Sequence, residues 1–202
     1  MEFLFINIKC SLLLFASLIF ETAFGFGYKN DAANSFEIAG QDIFFEIVEP
    51  ENLRYTYRTR PAKNFGSQFI GDFNAKNIKL VPVEPANGCS WPDNADDIYG
   101  NIAFMERGEC TFLSKTLRAE EVGAKGVIIF DNIPSDEFFT EMIDDQSGKT
   151  VHIPATFLLG KNGLIIWNTL KKLNMDYAVI NIPVNVSYVP INKWKQPPWL
   201  TW

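Results

Sequence analysis

The sequence predicts an α/β fold built from βαβ units and entered through an antiparallel hairpin. Three observations predict it. "NIAFMERGECTFLSKTLRAEEVGAKGVIIFDN" (residues 101–132) reads as strand, helix and strand within 32 residues, the spacing of a right-handed βαβ crossover. "IPATFLLGKNGLIIWNTLKKLN" followed by "YAVINIPVNVSYVP" repeats that order. Upstream, Leu53, Tyr55 and Tyr57 alternate with Arg54, Thr56 and Arg58, the period-two pattern of a half-buried antiparallel strand.

The first element is a targeting segment. Lys9 precedes "CSLLLFASLIF", eleven residues of which nine are apolar, and Ala23 and Gly25 follow. That run has the length of a signal-peptide core and is too short to span a bilayer. Residues 1–25 are therefore read as a secretory signal, cleaved after Gly25. The mature chain is expected to be secreted or lumenal, with no membrane insertion. Losing Glu2, Lys9 and Glu21 changes the net charge from -6 to -5. The chain has no basic block, which argues against a nucleic-acid partner. Cys10 leaves with the signal, so Cys89 and Cys110 remain. In an oxidising compartment two cysteines are most simply a disulfide, worth about 3 kcal/mol in the chain-entropy model. A reactive Cys110 thiol is the alternative.

Residues 26–60 are assigned to an N-terminal hairpin packed on the domain, with Pro50 in its turn. Residues 61–190 form the main domain. Within it, 61–75 is loop-like and "NIKLVPVEP" is a short strand ended by prolines. "ANGCSWPDNADDIYG" is a turn-rich acidic connection. The helix after "NIAFME" has Thr111 as N-cap and Gly123 as its C-terminal stop. Phe112, Leu113, Thr116, Leu117 and Ala119 share one arc of it, opposite Ser114, Arg118 and Glu121. "GVIIFDN" is apolar without interruption, as in a strand covered on both faces. "PSDEFFTEMIDDQSGKT" reads as an acidic loop with one helical turn. A strand over 153–159 leads to a helix over 160–174 carrying Leu164, Ile165, Trp167, Leu170 and Leu173. The last strand spans 177–190. Residues 191–202, with three Trp and two Pro, are an irregular tail that either packs back over the core or presents an aromatic surface.

Chemistry-bearing residues are few. His152 is the one histidine, which excludes a two-histidine zinc site and any HExxH motif. There is no G-x-S-x-G elbow. Cys110 at a helix N-terminus beside Arg107 has electrostatics that could activate a thiolate, with His152 as base; a cysteine hydrolase is thus the enzymatic alternative. Asp93, Asp96, Asp97, Asp144 and Asp145 lack EF-hand spacing and read as solvated loop charge, so no metal is expected. No phosphate or dinucleotide glycine fingerprint appears, and no cofactor is expected. Asn185-Val186-Ser187 is the one N-x-S/T sequon. Its place in an expected strand admits a glycan only at an edge or a solvent-facing position.

The 101–132 stretch resembles the signature of the protease-associated (PA) domain. It has an apolar strand, Arg-Gly-x-Cys-x-Phe, a lysine, and Gly-Ala before an apolar strand ending in Asp/Asn. The likeness extends through "IPATFLLGKNG". The resemblance implies a PA-type domain: a mixed β-sheet or barrel with βαβ units and flanking helices, and no catalytic residues. Such domains occur beside proteases, in sorting receptors and in membrane ubiquitin ligases, where they bind partners or cover substrate. In plant vacuolar sorting receptors the loop matching Arg107, Gly108 and Glu109 contributes to peptide binding. Those three residues are therefore candidate peptide contacts, although Arg107 could equally pair with a nearby acid. The resemblance also supports a Cys89–Cys110 disulfide. The expectation is a secreted, non-catalytic glycoprotein that binds an unidentified protein or peptide. A helper or inhibitor docking on a separate protease is the alternative.

Overall fold

The computed structural model describes residues 42–69 and 73–200. The expected signal and the start of the hairpin segment lie outside them. The described residues form seven strands: β1 (Ile43–Glu49), β2 (Thr56–Pro61), β3 (Ala75–Pro82), β4 (Ile102–Glu106), β5 (Gly126–Phe130), β6 (Ala155–Leu158) and β7 (Ala178–Ile182). Among the described residues three α-helices accompany them: α1 (Ala95–Ile98), α2 (Phe112–Glu121) and α3 (Gly160–Leu173). The strands close into a barrel in the order β1-β2-β6-β5-β4-β3-β7. Closure pairs every stave on both sides and removes exposed sheet edges.

The hairpin is part of the barrel wall rather than an element laid against it. β1 pairs antiparallel with β2, placing Phe45 opposite Tyr57, and their rings stack with centroids 5.0 Å apart. β1 also pairs with β7, and β2 with β6. These two pairings close the barrel.

β3, β4, β5 and β6 run parallel. The crossovers β3–α1–β4 and β4–α2–β5 are the βαβ units. The expected second unit, β6–α3–β7, is not one. β6 neighbours β2 and β5, whereas β7 lies antiparallel between β1 and β3. The physical reason shows in β7 itself. Ala178, Ile180 and Ile182 are buried while Val179 and Asn181 are half-buried. That alternation suits an antiparallel stave with one wet face. The true second unit uses α1, a single helical turn inside the segment expected to be irregular.

Parallel strands β4 and β5 bury both faces, which explains the apolar runs of residues 102–105 and 126–130. Inward, Ile102, Phe104, Ile128 and Phe130 join Phe45, Tyr57, Leu80 and Ile180, together with Ile166, Trp167 and Leu170 of α3. Phe104, Phe130 and Trp167 form an aromatic triad with centroids 4.8 to 5.9 Å apart. Outward, Ala103, Met105, Val127 and Ile129 pack with Ala119 of α2. Thr111 caps α2 by accepting the Ser114 N–H at 3.1 Å, and Gly123 ends it at φ +83°. On α3, Asn162, Gly163, Ile166, Trp167 and Leu170 are buried and Leu164 and Ile165 pack against the same core; of the apolar residues expected on this helix, only Leu173 is exposed.

Three smaller expectations change. The connection from β5 to β6 has no helical turn. β7 ends at Ile182, so Asn185 lies beyond the strand, exposed like Ser187, with Val186 buried between them. The tail, as far as it is described, packs back. Trp194 meets the Phe44 ring edge-on at 4.9 Å, and Trp199 meets Tyr55 at 5.3 Å. Trp199 also donates to Asn162 Oδ1 at 2.8 Å. Among the described residues no helix is long and apolar enough to cross a membrane.

Candidate functional site

The candidate turn begins where β4 stops. The Arg107 N–H donates to the Phe130 carbonyl at 2.8 Å, extending the pairing with β5 by one residue. The chain then reverses through Gly108 at φ +123° and Glu109 at φ +65°. Gly108 occupies a conformation that residues with a Cβ rarely adopt. The Cys110 N–H donates back to the Gly108 carbonyl at 2.8 Å, and Thr111 opens α2.

A second segment braces this turn. Cys89 and Cys110 form a disulfide. The Glu106 N–H donates to the Ala86 carbonyl at 2.8 Å, and Asn87 Nδ2 donates to the Glu109 carboxylate. From beneath, Lys115 Nζ donates to the Asn87 carbonyl and lies 3.4 Å from Cys89 Sγ. The turn is thus tied to β5, to residues 86–89 and to α2.

Arg107 is paired. Its Nη1 donates to Asp131 Oδ2 at 3.0 Å and to Thr140 Oγ1 at 2.9 Å. The Asp131 side chain is fully buried and that of Arg107 is 34% exposed. The other Asp131 oxygen accepts the Ile133 N–H at 3.2 Å. Of the two roles open to Arg107, the ion pair is therefore occupied, with part of the guanidinium still facing solvent. Glu109 is exposed.

The remaining candidates separate. The Cys110 sulfur is consumed in the disulfide. The His152 side chain is 79% exposed, with Nδ1 at 3.3 Å from Glu120. The hydrolase alternative therefore has no nucleophile. Asp144 and Asp145 accept the N–H groups of Gln146 and Ser147. Thr111 Oγ1 also donates to Asp145 at 2.6 Å. Bonds from Ser147 and then Thr111 hold the Asp145 carboxyl below its usual range. Asn185 accepts the Ser187 N–H at 3.0 Å and lines a groove with Glu46, Arg54, Asn77 and Trp194, apart from the turn.

Sequence reasoning places Lys115 and Asp131 only inside the family signature, with no role at the turn, and misses Thr140. Lys115 had a usable signal. It lies three residues after Phe112 and four before Ala119, at the edge of the apolar arc between Ala119 and Val122, where a lysine is out of place. Burial lowers its ammonium from 10.5 to about 8, against the opposing pull of Glu109 and then Glu106. The consequence has a definite sign. Between those two values the unfolded chain binds the extra proton, so stability rises with pH there. Relative to Lys115→Met, the wild-type chain is expected to gain on the order of 2 kcal/mol between about pH 7 and about pH 10, followed by chemical denaturation. Burial also raises the Tyr57 phenol, but both chains carry it and the difference cancels. A flat difference across that range would show that the amine is not desolvated.

A barrel of this topology, with the pinned Arg-Gly-Glu-Cys turn between its parallel strands, defines a class: the chain belongs to the protease-associated (PA) domain family. The PA domain matches residues 76–166, from β3 into α3. The chain is 48% identical over 169 residues to the PRADC1-like protein of Drosophila melanogaster, covering 82% of this chain and 85% of that protein. It is also 35% identical over 131 residues to the ER degradation-enhancing alpha-mannosidase-like protein 3 of Xenopus laevis, covering 62% of this chain and 14% of that protein. A C5a peptidase of Streptococcus pyogenes serotype M3 is 34% identical over 87 residues, covering 43% of this chain and 7% of the peptidase. Of these larger proteins the chain spans only a small fraction. Among solved structures, BSAP, a zinc aminopeptidase from Bacillus subtilis, aligns with a TM-score of 0.48 at 20% identity, over 70% of this chain and 30% of that one.

Proposed function

We propose that this protein is a secreted glycoprotein whose PA domain is a non-catalytic interaction module for a protein or peptide in the secretory or extracellular space. The observation that carries this reading is the rigidity of the turn at residues 107–109. A turn fixed by a disulfide, a buried ion pair and a buried lysine loses little entropy on binding. It leaves an exposed carboxylate and part of a guanidinium for a ligand. The disulfide suits an oxidising compartment, in keeping with the signal read at residues 1–25. Exposure of Asn185 and Ser187 supports a glycan there, since neither side chain is needed inside. The likeness to a C5a peptidase supports a second reading, docking on a separate protease.

The test uses the full chain expressed in secreting cells. It is expected in the medium, with a glycosidase-sensitive mass that Asn185→Gln removes. Crosslinking mass spectrometry on the secretory fraction is expected to give adducts at residues 107–109. Adducts confined to other surfaces, or retention of the protein in the cytosol, would overturn the reading.

A further inference from the structure

Phe138 is 80% exposed, yet the residues that follow it are held in place. The Phe139 ring lies under the guanidinium groups of Arg60 at 4.8 Å and Arg58 at 5.3 Å. Both arginines pair with the buried carboxylate of Asp42. Thr140 is held by Arg107 at 2.9 Å. Glu141 pairs with Lys63 at 3.3 Å. Met142 is buried, and its carbonyl accepts the Lys63 N–H at 2.9 Å. On the preceding side, the Phe138 N–H donates to Asp136 Oδ1 at 3.3 Å. Four cationic side chains and a core anchor therefore fix the backbone on one side of Phe138, and an Asx turn fixes it on the other. The ring between them meets water. Ile133 and Ile143, on the same loop, are 47% and 54% exposed. The loop therefore holds three apolar side chains out to solvent on a braced backbone.

The charge of the loop says what kind of partner fits. Asp136, Glu137, Asp144 and Asp145 lie within residues 132–147, a stretch without a lysine or arginine. We propose that this loop is a docking surface for a basic segment carrying apolar side chains. Phe138 is its anchor, and the flanking carboxylates select the charge. Aromatic anchors with a polar rim dominate binding energy, and opposite charge across the rim steers association. Arg107 then acts as a positioning residue, holding Thr140 and with it the anchor. This inference rests on the interaction-module reading and names the partner chemistry.

The experiment measures fluorescence anisotropy of three short synthetic peptides against the full mature chain. One alternates lysine with leucine, one glutamate with leucine, and one lysine with serine. The lysine–leucine peptide is expected to bind, about tenfold more weakly to Phe138→Ser. The double variant Asp136→Asn, Glu137→Gln is expected to lose affinity at low salt and little at high salt. Phe138 is exposed, so its replacement does not threaten the fold. Equal binding of the lysine–serine peptide, or no effect of Phe138→Ser, would reduce the surface to charge alone and overturn the proposal. Preference for the glutamate–leucine peptide overturns the partner chemistry and leaves the module reading intact. Binding of none of the three overturns this docking surface, while crosslinks at residues 107–109 would still uphold the module reading.

Discussion

Replacing Arg107 with alanine is expected to destabilise the fold by about 3 kcal/mol, the cost of leaving a buried charge without its partner. The Asp131 carboxylate has no exposed surface. Without Arg107 it keeps one bond, from the Ile133 N–H. Partial exposure of the guanidinium lets water replace some of the loss, which places the effect at the low end for buried pairs. Denaturant midpoints read it directly. The double variant Arg107→Ala, Asp131→Asn is expected to recover part of the stability, because an amide is cheaper to bury unpaired than a carboxylate. An Arg107→Ala chain as stable as the wild type would show that the ion pair carries no weight. The result also governs binding studies. Loss of a ligand in Arg107→Ala reports a contact only if the loop around Thr140 stays in place, which Arg107 itself ensures.

The second large effect is expected at Gly163. A Cβ there would lie 2.1 Å from the Cβ of Phe130 and 2.3 Å from its Cγ. Neither atom sits at the end of a flexible chain, so α3 would have to move away from the barrel. That movement would open the packing of Ile166, Trp167 and Leu170 around the aromatic triad. Overpacking of this kind costs about 3 kcal/mol when a whole helix must shift. Helix propensity works the other way, favouring alanine by about 1 kcal/mol. The net expectation for Gly163→Ala is a loss of about 2 kcal/mol in thermal or chemical unfolding. Exposed Lys161→Ala on the same helix is the control and should change little. A Gly163→Ala chain that gained stability, as propensity alone dictates, would mean that the helix has room to spare.

These two positions illustrate what could be read in advance. β4, α2 and β5 were legible because their signals are local: an apolar run, a threonine cap, a glycine stop. The Arg107 turn was legible as a motif for the same reason. Its partner was not, since Asp131 stands 24 residues away and no local pattern links a turn to the far end of the next strand. The barrel was implied by the family resemblance alone, and its strand neighbours were hidden for a related reason. Glu46 pairs with Asn181, and hydrophobic periodicity reports which face of a strand is buried, never which strand lies beside it. The approach of α3 turns on a finer point that periodicity does not report: the small residue Gly163 decides which side can lie against Phe130.

The seam between β1 and β7 has one more consequence. The first and last staves are neighbours, and just beyond the seam the Val184 N–H donates to the Phe44 carbonyl at 2.7 Å. The start of β1 and the end of β7 therefore sit side by side at one rim of the barrel. A barrel whose first and last staves adjoin holds its strand ends close together, the geometry that domain insertion into a host loop requires.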